Sequence, residues 1–213
     1  MPVINFLAAA FPTLELSQIR FYKGLPWYIN KAYASAITLP GVYNLNRIHI
    51  HFSSADHKSI NDVSTIVHEC FHALQYQELY KSRGVGLLRI FMVHYFAEFF
   101  RLFFQNVWKM GIGNARQLAY ELHPMEIPAF QVDHNYRNYF TEKGLENALN
   151  IPLPEPLKIK HTGHSYNAGY LPYWSSVCLL FFLSIIAPVF ELILLLGAGV
   201  LFLTGKGLSV IRL

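Results

Sequence analysis

Two histidines in the stretch HECFH, His68 and His72, lie four residues apart, and Glu69 directly follows the first of them. On an α-helix this spacing places both imidazoles on one face, one turn apart, so that both can bind one tetrahedral metal ion. A glutamate next to such a pair can polarise a water molecule on the metal, which is the chemistry of zinc hydrolases. Two ordinary polar side chains on a packed helix would have the same spacing. The surrounding elements must therefore distinguish a metal site from two such side chains.

The residues around this motif favour one amphipathic helix over residues 63–80. The stretch contains no Gly or Pro, and Asn61 and Asp62 offer side-chain caps at its start. Its apolar residues recur at helical intervals, at Ile66, Val67, Cys70, Phe71 and Leu74. The sequence therefore predicts that both histidines share one helix face.

A catalytic zinc ion needs a third protein ligand and one open position. A second helix, predicted over residues 125–140, carries Glu126 in its first turn, and this carboxylate would complete a set of two histidines and one glutamate. A glutamate at a helix N-terminus can also be there only because it favours the helix dipole. The rival ligands nearby are Glu121, His123 and His134.

Short extended runs alternate with turn signals between residues 15 and 60 and predict a small β-sheet. In the run RIHIHF the apolar side chains fall on one face, and His49 and His51 fall on the other. These two histidines are an alternative metal pair, but the polar outer face of a half-buried strand explains them better because no third ligand neighbours them. We expect this run to form a sheet edge that aligns an extended substrate by strand addition.

The composition is unusual for a water-soluble enzyme. The chain has 213 residues, of which 53% are hydrophobic and only 14% are charged, compared with roughly 25% charged in an ordinary soluble protein. This composition predicts association with a lipid membrane. The net charge of +4 comes from scattered residues, and no run of Lys or Arg favours nucleic-acid binding. Cys70 and Cys178 are predicted to be buried thiols without a disulfide.

A third helix is predicted over residues 87–110. Its polar residues form one narrow stripe of His94, Glu98, Arg101, Gln105 and Lys109, and almost all other residues are large and apolar. Most of its surface must therefore avoid water, either against protein or in the interface of a membrane.

The C-terminal part of the chain changes character. Residues 146–172 are punctuated by Pro and Gly and predict a linker. The segment 173–205 is mostly apolar over residues 174–204 and is long enough to cross a bilayer as one tilted helix, with Glu191 near its middle. We expect a membrane protein whose catalytic domain, residues 1–145, lies in the cytoplasm.

The stretches HECFHALQYQ and HPMEIPAF resemble a bacterial group of zinc metallopeptidases of uncharacterised function. The pattern of that group is His-Glu-x-x-His-x-x-Gln-Tyr-Gln, followed by a helix with Asn-Pro-x-Glu-x-x-Ala. The strand pair AITLPGVYNLNRIHIHF looks like the Thr-containing strand pair of the group, so the likeness covers residues 15–140. His123 stands where Asn is usual and Cys70 where Leu is more common, and neither departure removes a ligand.

The resemblance implies an α+β, zincin-like domain, in which a small N-terminal sheet packs on the HExxH helix. It also implies that His68, His72 and Glu126 bind Zn2+ and that Glu69 is the catalytic base. We therefore expect a membrane-associated zinc metallopeptidase with a peptide or protein substrate; the sequence does not specify an oligomeric state. The alternative is a membrane-anchored binding or scaffold protein with a structural zinc site, which would need a fourth protein ligand.

Overall fold

The computed structural model describes residues 2–26, 34–41, 47–53, 59–84, 86 and 91–162. Within these ranges the protein is mixed α+β, with one small sheet and mostly helices, as the sequence predicts. The N-terminal elements are helix α1 (Pro2–Ala10) and strands β1 (Ile19–Lys23), β2 (Ala36–Pro40) and β3 (Ile48–Phe52). The later elements are helix α2 (Ile60–Arg83), a π-helix (Phe91–Phe96), and helices α3 (Ala97–Glu121), α4 (Glu126–Lys143) and α5 (Leu145–Asn150).

The three strands form one sheet in the order β1-β3-β2. Strand β3 pairs with β1 in parallel and with β2 antiparallel. The prediction that Ile48, Ile50 and Phe52 share one face is confirmed, because all three are buried while the histidines between them are half-buried. The prediction that RIHIHF forms an edge is wrong, because β3 has a partner strand on each side.

Helix α2 includes the predicted 63–80 helix and extends it at both ends. Its N-terminal cap is Ser59, whose hydroxyl accepts a hydrogen bond from the Asp62 amide at 3.1 Å. The predicted caps Asn61 and Asp62 are therefore already inside the helix. Gly84 ends α2 in the left-handed conformation, with φ of 63°, which glycine adopts at little cost.

The core forms where α2 packs between the sheet and α4. The face of α2 that carries the apolar periodicity is buried, and Cys70 is a fully buried free thiol, as predicted. Phe6 of α1 packs its ring against Tyr136 and Phe140 of α4, with ring centroids 5.7 and 5.3 Å apart. The first helix therefore covers the side of α4 that faces the same core.

The long helix predicted over residues 87–110 differs from the observed one. The described helical residues begin with the π-helix and continue through α3 to Glu121, past the predicted end. Gly111 has non-helical φ and ψ of 79° and 167°, so the chain bends there and then resumes the helix. The predicted end at Met110 thus marks a bend, and residues 87–90 lie outside the described part.

The predicted linker 146–172 begins with ordered structure that packs on the domain. Helix α5 buries Ala148, and Leu153 after it is also buried. The amide of Ile159 donates to the Ala10 carbonyl at 2.7 Å, which ties this segment to the end of α1. The predicted membrane segment 173–205 and Cys178 lie outside the described residues, and none of the helices described is long and apolar enough to span a bilayer.

Gln77, in the QYQ part of the motif, joins α2 to the chain before the sheet. Its side chain is 2% exposed. Its amide oxygen accepts from the Glu15 backbone amide at 2.8 Å, and its amide nitrogen donates to the Glu15 carbonyl at 3.1 Å. One side chain thus satisfies both backbone groups of a residue that is distant in sequence.

We expect Gln77→Ala to lower the free energy of unfolding by about 1 to 2 kcal/mol, because it leaves two backbone groups of Glu15 without their partner. Urea denaturation of the full chain in mild detergent, followed by circular dichroism, measures this loss. Gln131→Ala, at an exposed position of α4, is the matched control and should change the free energy by much less. Equal losses in both variants would contradict the role assigned to Gln77.

Candidate metal centre

Helix α2 presents His68 and His72 to one buried point. The two side chains are one turn apart, and both residues are less than a tenth exposed. Their Nε2 atoms lie 3.1 Å apart, and the two rings are nearly perpendicular, with an interplanar angle of 81°. Two imidazole nitrogens therefore face each other across a short gap.

Glu126 reaches the same point from the first turn of α4. Its Oε2 atom lies 3.3 Å from His68 Nε2 and 3.4 Å from His72 Nε2. The residue is only 2% exposed, and among the described residues no hydrogen bond satisfies this buried oxygen. Its other oxygen, Oε1, accepts a hydrogen bond from the Tyr95 hydroxyl at 2.7 Å. The unsatisfied oxygen is thus aimed at the two histidine nitrogens.

The three contact distances fit a single metal ion. Metal–ligand bonds of about 2.0 to 2.2 Å in a tetrahedron put neighbouring ligand atoms about 3.3 to 3.6 Å apart. The observed separations between the three ligand atoms are 3.1, 3.3 and 3.4 Å. The buried group of His68, His72 and Glu126 can therefore hold a metal ion.

Gln75 sets the orientation of His72. Its side-chain oxygen lies 2.8 Å from His72 Nδ1, and since an amide oxygen only accepts, Nδ1 must carry the proton. In the neutral ring this leaves the lone pair on Nε2, which faces Glu126. The Gln75 amide nitrogen donates to the Met125 carbonyl at 3.0 Å, so the same side chain also fixes the start of α4.

His123 connects the π-helix to the residue directly before α4. Its Nε2–H donates to the Tyr95 carbonyl at 3.0 Å, and its Nδ1 accepts from the Met125 amide at 3.0 Å. Burial lowers the pKa of His123, which agrees with a neutral ring whose two nitrogens have opposite roles. His123 is a rival metal ligand by sequence, but both its nitrogens bind backbone groups.

The charges in the site depend on one another. Burial lowers the pKa of His72, but the Glu126 carboxylate outweighs burial and raises this pKa to about 9. Burial raises the pKa of Glu126, yet the neighbouring His72 and His68 hold it well below its usual range. Without a metal ion, a proton on His72 balances the ionised Glu126; a bound cation would take the place of that proton.

Glu69 lies next to the three ligand residues without being one of them. It is 7% exposed, and its Oε2 atom lies 2.6 Å from the hydroxyl of Thr38 on strand β2. The same hydroxyl is 3.0 Å from the Glu69 backbone carbonyl. A threonine of the sheet thus fixes both the backbone and the carboxylate of this residue on α2.

A cavity of about 580 Å3 opens onto these residues. Helix α2 contributes Thr65, His68, Glu69, His72 and Tyr76 to its lining, and residues 34–39, in and just before β2, contribute another part. The rest of the lining comes from Tyr95, Phe96, Tyr120, Glu126, Phe130, Asp133 and Arg137. Burial and the nearby Glu126 raise the pKa of the Tyr95 phenol well above its usual value, so its hydroxyl keeps its proton.

The other candidates from the sequence do not join this group. Glu121 is exposed and accepts from Gln117, and His134 is exposed and accepts from Asn138. His49 and His51 lie on the outer face of the sheet, where the His51 ring stacks on Tyr22 with centroids 4.7 Å apart. Tyr120, one residue before Glu121, lines the cavity instead.

The sequence reasoning missed Tyr95 and assigned no role to Thr38 or Gln75. Gln75 could have been found, since a residue three positions after His72 on a helix can reach its ring. Thr38 had a weak signal, because it belongs to the strand that the resemblance singled out. Nothing in the sequence around Tyr95 indicates that its hydroxyl reaches Glu126.

Comparisons with known proteins found no matching family model, no matching curated protein and no matching solved structure. The function must therefore be argued from the geometry of the site.

We expect His72→Ala to abolish stoichiometric metal binding, because it removes one of three ligand atoms and leaves Glu126 paired with one imidazole. Elemental analysis of the purified full chain measures the metal content. His134→Ala, which removes an exposed histidine of α4, is the control and should keep the full content. Full metal content in His72→Ala would place the metal elsewhere.

Proposed function

We propose that this protein is a membrane-associated zinc-dependent hydrolase that cleaves peptide bonds. The observation that carries the proposal is the buried Oε2 of Glu126, which lies 3.3 and 3.4 Å from the two histidine nitrogens and has no hydrogen bond within the described part of the chain. Burying a carboxylate beside two imidazoles is costly unless a cation or a shared proton compensates the charge. A divalent cation in this place would satisfy all three side chains.

The ligand set supports zinc as the metal. Two imidazoles and one carboxylate are a common set in catalytic zinc sites, whereas Mg2+ and Ca2+ prefer oxygen ligands alone. A structural zinc site is closed by four protein ligands. In the described part of the chain the group contains three, His68, His72 and Glu126, which leaves a position for water or substrate and favours catalysis over a scaffold role.

Glu69 is the proposed general base. When bound, Zn2+ would act as a Lewis acid that makes water more acidic and polarises the substrate carbonyl. The carboxylate of Glu69 then accepts a proton from the attacking water and returns it to the nitrogen of the leaving amine. Thr38 keeps this carboxylate directed into the cavity through its hydrogen bond of 2.6 Å.

Strand β2 supports a peptide substrate. Residues 34–39 line the cavity. In the described sheet β2 is an edge strand, because β3 pairs with one side of it and no described strand pairs with the other. An extended peptide could add to the other side through backbone hydrogen bonds, which would place its carbonyl groups along the cavity. This assigns to β2 the substrate-aligning role that the sequence reasoning gave to β3.

The small sheet packed on the HExxH helix and the glutamate at the start of a later helix support a zincin-like fold, as the resemblance implies. The apolar segment 173–205 supports membrane attachment on its sequence alone. We propose that the domain acts at the cytoplasmic face of that membrane.

We predict that Glu69→Gln keeps stoichiometric zinc but lowers kcat by about a thousandfold or more, because the amide cannot accept the proton from water. Hydrolysis of a fluorogenic peptide library, together with elemental analysis, measures both quantities. Glu121→Gln, an equally conservative change at an exposed glutamate, should leave both unchanged. Undiminished turnover in Glu69→Gln would exclude the mechanism.

Thr38→Val should lower kcat by about tenfold with little change in KM, because the Glu69 carboxylate loses the hydrogen bond that orients it. Thr38→Ser keeps the hydroxyl and should restore most of the activity. Zinc content should be the same in both variants. A loss of activity in Thr38→Ser as large as in Thr38→Val would show that packing, and not the hydroxyl, matters at this position.

A further inference from the structure

The bend of α3 carries an exposed apolar tip, which we define as residues 108–113. Trp108 is 91% exposed and Ile112 is 73% exposed, although both are large apolar side chains that usually avoid water. Gly111 at the bend has φ of 79°, a conformation that residues with a side chain rarely adopt. The backbone is thus built to hold two bulky apolar groups at the surface, and nothing in the metal centre requires this.

The charged residues nearest to the tip in the sequence are cations, Lys109 within it and Arg116 three residues after it. The sequence from residue 99 to 120 contains Arg101, Lys109 and Arg116 and no Asp or Glu. Lys109 and Arg116 are exposed on the two sides of the bend. An apolar tip between two exposed cations complements a bilayer surface, where anionic headgroups lie directly above the acyl chains.

The residue types indicate the depth to which the tip would reach. Trp is enriched at the level of the lipid headgroups, and Lys can bury its stem in the apolar region while its ammonium stays at the phosphates. The apolar tip has six residues, far fewer than the about 20 that cross a bilayer as a helix, so the fitting mode is insertion into the interface. The low charge content of the whole chain also favours contact with lipid.

We propose that the apolar tip inserts into the interfacial region of a bilayer that contains anionic phospholipids. Ile112 enters the upper acyl-chain region, Trp108 lies at the boundary between the headgroups and the acyl chains, and Lys109 and Arg116 bind the phosphate groups. This contact is separate from the metal centre and from the predicted segment 173–205. It stands whether or not the protein is a hydrolase.

The test places the full chain in vesicles of phosphatidylcholine, with or without phosphatidylglycerol. In the variant Trp27→Phe, Trp174→Phe, Trp108 is the sole tryptophan and reports on the tip. We expect its fluorescence to shift to shorter wavelength in the anionic vesicles and to be quenched by lipids brominated near the headgroup end of the acyl chains. Changing Lys109 and Arg116 to Gln should reduce the quenching to the level seen in phosphatidylcholine alone.

The control tryptophan replaces Ile151, an apolar residue that is 42% exposed in the segment after α5. In a chain without the other three tryptophans, Ile151→Trp should be neither shifted nor quenched. If the phenylalanine variants fail to fold, the same fluorescence measurement is made on the wild type. Trp108→Phe should then remove the part of the wild-type tryptophan emission that is shifted and quenched in anionic vesicles.

Unshifted and unquenched Trp108 in anionic vesicles would overturn the proposal. A shift that depends on protein concentration without lipid would overturn it too, since it would assign the tip to a contact between two copies of this chain. Equal quenching with and without phosphatidylglycerol would refute the role of the two cations.

Discussion

Three ligand atoms meet at one buried point because one turn of α2 and the first turn of α4 face each other there. Burying the Glu126 carboxylate there is unfavourable unless a positive charge compensates it, either a proton on the histidine pair or a bound cation. The rest of the domain holds His68, His72 and Glu126 in spite of that cost. The same arrangement suits a bound cation, which would take the place of the proton on the histidine pair.

The supporting contacts come from every element around the site. Gln75 orients His72 and anchors the start of α4, and Tyr95 holds the second oxygen of Glu126. His123 ties the π-helix to the same turn of α4, while Thr38 brings the sheet to Glu69. Most of these side chains are buried, so each hydrogen bond is formed away from competing water. Outer contacts of this kind keep ligands in place before a metal arrives.

Local patterns in the sequence predicted the parts of the structure that depend on local spacing. The α2 helix, the alternating burial of β3 and the shared face of His68 and His72 follow from periods of 3.6 and 2 residues. The position of β3 in the middle of the sheet could not be read in this way, because strand order depends on pairing between distant segments. The contact between Thr38 and Glu69 could not be predicted from local patterns either, because the two residues are 31 positions apart in the sequence. In the sequence, the bend at Gly111 is indicated only by the end of the helical periodicity at residue 110.

The central claim is that His68, His72 and Glu126 bind one zinc ion and leave a position open. X-ray absorption at the zinc edge of the purified full chain tests it most directly, because it reports the type, number and distance of the ligand atoms. The account predicts two imidazole nitrogens and one or two further oxygens at about 2.0 to 2.2 Å, with no sulfur. A sulfur ligand at about 2.3 Å, or a shell of four imidazoles, would contradict it.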